Sequence, residues 1–269
     1  KWAMVLLLAW VGASGAARLG RFWTGFLPAT AAVGLVAAVI MKEDLGTAIL
    51  VGGVGMIVLV GAGARLVHLA IIAPIGLGVV AAGLLAAPYR VARVTAFLDP
   101  FQDAQGTGYH MIQSMGAVAG GEVVGRGLGH GLQKFGYLPE DTTDFIFAIV
   151  CEELGLPGAA VVLFLYAVLI GLLLGVARGS GHPVHRLIAL GVLATIGLQA
   201  SINLLVVTGL APTKGIALPL ISKGGTGWIL TCLSLGLIAA IDRAAETAEA
   251  QQPEPERSPA GRSAPGLPA

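Results

Sequence analysis

Charge is what this chain is short of. Only 12% of its 269 residues are Asp, Glu, Lys or Arg, while 56% are hydrophobic, and mean hydropathy is +0.85. A soluble domain of this length does not have that balance, so the composition implies a polytopic membrane protein. The formal net charge of +1 leaves nothing to attract a nucleic acid. There are two cysteines, Cys151 and Cys232, both inside apolar segments and without metal-ligand spacing, and they are expected to be small core residues. The chain also has no methionine start and no signal-peptide layout. Glycine, by contrast, is abundant at 40 residues, as close packing of membrane helices through small side chains demands.

Seven apolar runs are each about long enough for one span, or nearly so. They lie at residues 2–17, 22–41, 45–64, 66–87, 144–177, 187–210 and 228–241. Arg65 and His68 mark the turn before the fourth run and Pro88 its end. The expected organisation is therefore all-α: spans one to four over 1–88, an extracytoplasmic loop over 89–143, spans five to seven over 144–243, and a disordered tail over 244–269. That tail is rich in Glu, Gln, Pro, Ser and Gly and offers little apolar surface to offset the entropy of ordering. Arg18, Arg21, Arg65, Arg178, Arg186 and Arg243 fall in short loops or ends on one side, and Lys42, Arg90, Arg93, Arg126, Lys134, Lys214 and Lys223 on the other. The raw count does not decide, but most of the second set lie in the long 89–143 stretch, which the positive-inside rule discounts, so the first side is expected to be cytoplasmic.

The long loop carries its own pattern. Met111, Ile112, Met115, Val118 and Ala119 recur at helical spacing, predicting a short interfacial helix with Ser114 off its apolar face. The glycine-rich run GGEVVGRGLGHG that follows is no dinucleotide fingerprint, since no strand precedes it; it could let backbone approach a ligand.

At residues 134–156 a polar loop with three acids, Glu140, Asp141 and Asp144, runs straight into span five. Those acids lie at the water boundary, a place for chemistry or for a helix cap by Thr142 or Thr143 with Asp144 in the first turn. Glu152 and Glu153 lie about 12 Å deeper by helical rise. Carboxylates at that depth must pair, be protonated or face a cavity, so they either satisfy a neighbouring helix, for example at Asn203 or Thr208, or shape a cavity for substrate. A second irregular loop, GLAPTKGIALPLISKGGTG over 209–227, presents Lys214 and Lys223 to the same compartment. An anionic headgroup suits it, although Lys223 reads as an ordinary snorkelling lysine.

Four ordered motifs resemble one family. KEDLGTA is similar to its QPDLGTA, FLDPFQDAQGTGYHMIQS to its FLDPW and GSGYQLIQS, QKFGYLPEDTTDFIFAIVCEELG to its YLPEAHTDFIFAVIAEELG, and NLLVVTGLAPTKGIALPLISKGGTG to its GLLPTKGLPLPLISYGGSS. The family is the SEDS peptidoglycan polymerases (FtsW, RodA, SpoVE), and the PTKG form resembles the FtsW branch. The resemblance implies ten spans, of which about three N-terminal ones are expected to be absent here. It implies a glycosyltransferase that polymerises lipid II in the bacterial plasma membrane during division, releasing undecaprenyl diphosphate on the extracytoplasmic face. It further implies partnership with a class B penicillin-binding protein and other division proteins. Lys42 and Glu43 stand where the family has Gln and Pro, Asp141 and Thr142 where it has Ala and His, and Lys223 and Gly227 where it has Tyr and Ser.

Carried over motif by motif, Asp144 is the expected general base, since a carboxylate within reach of a sugar hydroxyl can accept its proton. Lys214 would stabilise the departing diphosphate. Glu140, Lys134, Gln113 and Ser222 are expected to bind substrate, and Lys1, Asp44, Glu152 and Glu153 to have structural or cavity roles. Lys1 and Asp44, both at outer span ends, are expected to lie side by side. No cofactor is certain: a divalent cation can assist, although no His and Asp cluster resembles a dedicated cage. Readings from other classes are a lipid II flippase, for which Glu152 and Glu153 would form a pathway, and a non-catalytic division scaffold; an elongation polymerase of the RodA type is a further alternative.

Overall fold

The computed structural model describes residues 1–250; residues 251–269, and with them most of the expected tail, lie outside the described residues. The helices are α1 (Trp2–Leu19), α2 (Leu27–Met41), α3 (Leu45–Gly61), α4 (Leu66–Leu85), α5 (Pro88–Leu98), α6 (Tyr109–Gly120), α7 (Ile146–Gly179), α8 (Pro183–Val207) and α9 (Gly225–Ala250). Among the described residues five helices are long and apolar enough to cross a membrane, α2 with the π-turn before it, α4, α7, α8 and α9, and two shorter apolar ones, Trp2–Gly15 and Leu45–Gly61, complete the set of seven. The seventh is longer than its apolar pattern: α9 runs on through Asp242 and Arg243 to Ala250, where a disordered tail was expected from Ala244. Its last turns leave the apolar segment without leaving the helix, because Ala and Glu are good helix formers.

Helix α8 is the pillar, the most enclosed of the long helices, packed by α7, α1 and α3. Its Ala189, Val192 and Ile196 join Phe147, Tyr166 and Leu173 of α7 in one apolar cluster, while its Leu187 and Ala194 join Val5, Val51 and Val58 of α1 and α3 in a second. Contact is close enough to need glycine: a Cβ on Gly191 would sit 2.3 Å from Val5 Cγ1. Helix α4 contrasts with this, burying only His68, whose ring is edged by Phe22 and Phe26. Its apolar side chains face outward, as lipid would require. Cys151 is buried as expected, but Cys232 is exposed on α9.

A kink in α7 organises the outer loop. Gly155 has φ 61° and ψ −153°, a conformation open essentially to glycine alone, and Pro157 has no N–H to give the Glu153 carbonyl. The freed groups find partners in the glycine-rich loop: Arg126 N–H donates to Glu152 O and Gly127 N–H to Glu153 O, both at 2.9 Å, and Leu156 N–H donates to Val123 O at 3.2 Å. The glycine-rich run therefore approaches the backbone of α7 closely. Helix α6 packs on α7 and α8 with Met111, Ser114 and Ala117 buried. Ser114 faces inward against expectation because its hydroxyl donates to Val207 O at 2.8 Å, satisfying it at the end of α8.

Candidate functional site

Two irregular segments meet at the end of α7, and α8 holds them together. Residues 140–145 form turns before α7, in which Glu140 adopts φ 57° and its carbonyl accepts from Thr143 and Phe145 N–H, both at 3.1 Å. Neither threonine caps α7, whose N-cap is Phe145 without a side-chain cap; Thr143 Oγ1 donates instead to the Glu140 carboxylate at 2.6 Å. The second segment, 209–224, folds back over this turn. Lys223 N–H donates to Thr142 O at 2.9 Å, the Ser222 hydroxyl donates to Thr143 O and accepts from Leu218 N–H, and Tyr166 of α7 donates to Pro219 O.

Asn203 of α8 joins the two segments. Its side-chain amide donates to Asp144 O at 2.6 Å and to Ile216 O at 2.8 Å while only 1% exposed. One buried side chain thus fixes the residue after Thr143 and the residue two beyond Lys214. Asn203→Ala leaves two carbonyls without donors, at about 1–3 kcal/mol each. The expected result is a lower thermal midpoint in detergent micelles together with loss of any activity that needs Asp144 and Lys214 aligned.

Between the segments lies a chamber of about 460 Å³ lined by Asp103, Thr107, His110, Glu140, Asp144 and Phe145, with Tyr89, Arg93, Thr213, Lys214 and Gly215. Asp144 and Lys214 thus share one cavity, as the fold-back of the second loop requires. Beside it runs a groove of about 470 Å³ whose walls are mainly apolar, among them Leu45 and Ile49 of α3, Leu77, Val80 and Leu84 of α4, Val94 of α5, and Ile202 and Val206 of α8. Asp44 at the groove's edge is the N-cap of α3, accepting from Gly46 and Thr47 N–H at 2.7 and 3.1 Å.

Electrostatics set Asp144 apart. Burial, reinforced by the negative charges of Glu140 and Asp44 and opposed by Arg93, pushes its carboxyl up to about 6. Burial pulls Lys214 below the ordinary lysine value; Asp44 opposes this, and Arg90 and Arg93 add to it. His110 is likewise lowered, by burial and then by Arg93, against Glu140. The chamber therefore holds a carboxyl group poised near neutral pH, the condition for proton transfer.

Several sequence-predicted site residues stand elsewhere. Lys134 is engaged by Glu153 at 2.6 Å, Gln113 lies on α6 and does not line the chamber, and Ser222 ties the two segments together as described. Glu152 and Glu153 reach neither Asn203 nor Thr208, and neither lines the chamber or the groove. Glu152 accepts from Leu132 and Gln133 N–H at 2.9 and 3.2 Å with Arg126 Nε 3.8 Å away, and Glu153 accepts from Gly129 and Gly131 N–H. They clamp the glycine-rich loop to the kinked helix, which is how carboxylates so placed are compensated. Lys1 donates to Gln199 Oε1 at 2.5 Å and forms no ion pair with Asp44, whose carboxylate is occupied as a cap. Conversely Arg93, Tyr89, His110, Thr213 and Asp103 reach the chamber without having been expected there. Pro88 followed by Tyr89, Arg90 and Arg93 at i, i+1 and i+4 was the signal, an amphipathic start at the N1 position of a helix. Among the described residues no group of three or more His, Cys, Asp or Glu is placed to hold a metal ion.

With the geometry in hand, the chain can be set beside known proteins. The sequence pattern of the FtsW, RodA and SpoVE family, described as a cell cycle protein, matches residues 1–247. Stage V sporulation protein E of Bacillus subtilis is 39% identical over 244 residues, covering 90% of this chain and 67% of that protein. A probable peptidoglycan glycosyltransferase FtsW of Alkalilimnicola ehrlichii is 41% identical over 236 residues, 86% of this chain and 59% of that one. Among solved structures, a chain from a study of the structural coordination of polymerization and crosslinking by a peptidoglycan synthase complex superposes with a TM-score of 0.66 at 29% identity, covering 90% of this chain and 68% of that chain. The chain spans 59–67% of the length of the two curated relatives named.

Proposed function

For a chain that belongs to the FtsW, RodA and SpoVE family of cell cycle proteins, we propose the function of a peptidoglycan glycosyltransferase that polymerises lipid II during division. The observation that carries this reading is the shared chamber: a carboxyl group tuned to about 6 and a half-buried lysine on one wall system, opening beside an apolar groove. A sugar hydroxyl, an anomeric carbon and a diphosphate need a base, a space and a cation, and an isoprenoid chain needs an apolar bed.

Asp144 accepts the proton of the attacking hydroxyl as the glycosidic bond forms, and the anomeric carbon releases the diphosphate, whose developing charge Lys214 stabilises. Glu140 raises the base and stands ready to hold sugar hydroxyls. A divalent cation belongs to the proposal only as an assistant to the diphosphate. The face is extracytoplasmic, since Arg18, Arg65 and Arg178 mark the opposite ends of the spans. The membrane is the bacterial plasma membrane. A class B penicillin-binding protein supplies crosslinking, a partnership that the likeness to a chain of a peptidoglycan synthase complex supports.

The deciding experiment gives lipid II to the full-length protein with its partner. Glycan strands made by wild type but not by Asp144→Ala support the polymerase. Headgroup transfer across vesicles without glycan product would make it a flippase, and function that survives Asp144→Ala would make it a scaffold.

A further inference from the structure

The chamber and the apolar groove share a wall. Five residues wall both: Tyr89, Arg93, Thr213, Lys214 and Gly215. None of the acids does so, since Glu43 and Asp44 belong to the groove alone, and Asp103, Glu140 and Asp144 to the chamber alone. The neck between a polar space and an apolar one is therefore cationic, with two hydroxyl-bearing side chains beside the cations. A group that carries negative charge and joins a polar head to an apolar tail fits that neck.

Arg93 is available for it. Its helix is anchored by a different arginine: Arg90 donates to Gly83 O and Met41 O, both at 2.7 Å, and to Lys42 O at 3.1 Å, fastening α5 to the ends of α4 and α2. Arg93, one turn on, has no hydrogen bond or ion pair among the described residues; its guanidinium lies 6.0 Å from the centre of the Tyr89 ring. Three carboxylates stand in the same chamber, and it pairs with none of them. A planar fork of donors held by a fixed helix is suited to two phosphate oxygens at once.

We propose that Arg93 is a diphosphate-binding residue that grips, opposite Lys214, the diphosphate of a prenyl-diphosphate-linked sugar at the neck between groove and chamber. The identity of the ligand rests on the polymerase reading; the cationic neck does not. Arg93 contacts the bridge between lipid and sugar, so it acts in binding and in release of the leaving group.

The test uses the full-length protein in detergent micelles with geranylgeranyl diphosphate, geranylgeranyl monophosphate and geranylgeraniol as probes. Arg93→Gln is expected to bind the diphosphate at least about ten-fold more weakly, as loss of a charged hydrogen-bonding partner dictates, and the alcohol equally well. Arg93→Lys should recover part of the loss, and the thermal midpoint should stay nearly unchanged, because no hydrogen bond or ion pair is lost, only a long contact with the Tyr89 ring. Equal diphosphate binding by Arg93→Gln, a parallel loss of the alcohol, or competition by phosphatidylglycerol as strong as by the diphosphate would each overturn the proposal. The two readings fail separately. Arg93-dependent diphosphate binding without glycan synthesis by the wild type sinks the polymerase and keeps the neck. Glycan synthesis that Arg93→Gln leaves intact, with diphosphate binding intact, sinks the neck and keeps the polymerase.

Discussion

Asp144→Asn is expected to lower glycan synthesis by about 10²–10⁴-fold, the usual contribution of a positioned general base, while membrane insertion and partner binding persist. The amide keeps the shape of the side chain, and the backbone carbonyl that Asn203 holds is untouched, so what is lost is the capacity to accept a proton. The pH profile supplies the sharper signature. With its carboxyl raised to about 6, Asp144 is protonated on the acid side of that value and cannot act as base there, so synthesis by the wild type should fall through pH 6 and be about ten-fold down one unit lower. Glu140→Gln removes a neighbouring negative charge that contributes to the rise. The acid limb should then move to lower pH, while the plateau changes only by what Glu140 contributes to sugar binding. An Asp144→Asn variant with full glycan synthesis, or an acid limb that Glu140→Gln leaves in place, would remove the base from this residue.

Which parts of this molecule could be read from its sequence follows from what each part depends on. Spans are set by local apolar content, so their limits were legible to within a few residues, as at 22–41 and 66–87 against Phe22–Met41 and Leu66–Leu85. That Asp144 and Lys214 would meet in one chamber was legible because each sits in a motif at the boundary of a span. Illegible were the residues whose role depends on what a distant segment does. Glu152 and Glu153 could be read either as holding a neighbouring helix or as shaping a cavity, because nothing local to α7 announces that loop amides some twenty residues earlier will turn onto them. Ser222 and Asn203 look like any polar residues of a membrane protein until the fold-back of the second loop gives their side chains backbone to hold. Arg90 and Arg93 were counted only as loop charges. Three residues apart on α5, one anchors the helix and the other is left free, a division that depends on where the carbonyls of Met41 and Gly83 end up.

Lys214→Gln is the second large effect, about 10²–10³-fold in the chemical step, the magnitude of removing one donor aimed at developing negative charge. The structure makes this a sharper expectation than position in sequence does, because the stem of the lysine is seated against α3. Its stem lies over the first turn of α3, where a Cβ on Gly46 would come within 2.9 Å of Lys214 Cδ, and the residue lines both groove and chamber. Two consequences follow from that seat. Gly46→Ala pushes the stem aside and also crowds Asp44 Oδ1 at 3.1 Å and Ile216 Cδ1 at 3.2 Å, so it should reduce synthesis and lower the thermal midpoint as the α3 cap is disturbed. Lys214→Arg should rescue only in part, because a planar, delocalised fork does not place charge where a compact ammonium does. Burial also holds the lysine below its ordinary value, and a cation lost on deprotonation is lost earlier as pH rises. The alkaline limb of the profile should therefore begin below the usual lysine range in the wild type and disappear in Lys214→Gln. A Gln variant that polymerises lipid II at the wild-type rate with the alkaline limb unchanged would return Lys214 to the membrane surface and leave the diphosphate to other groups.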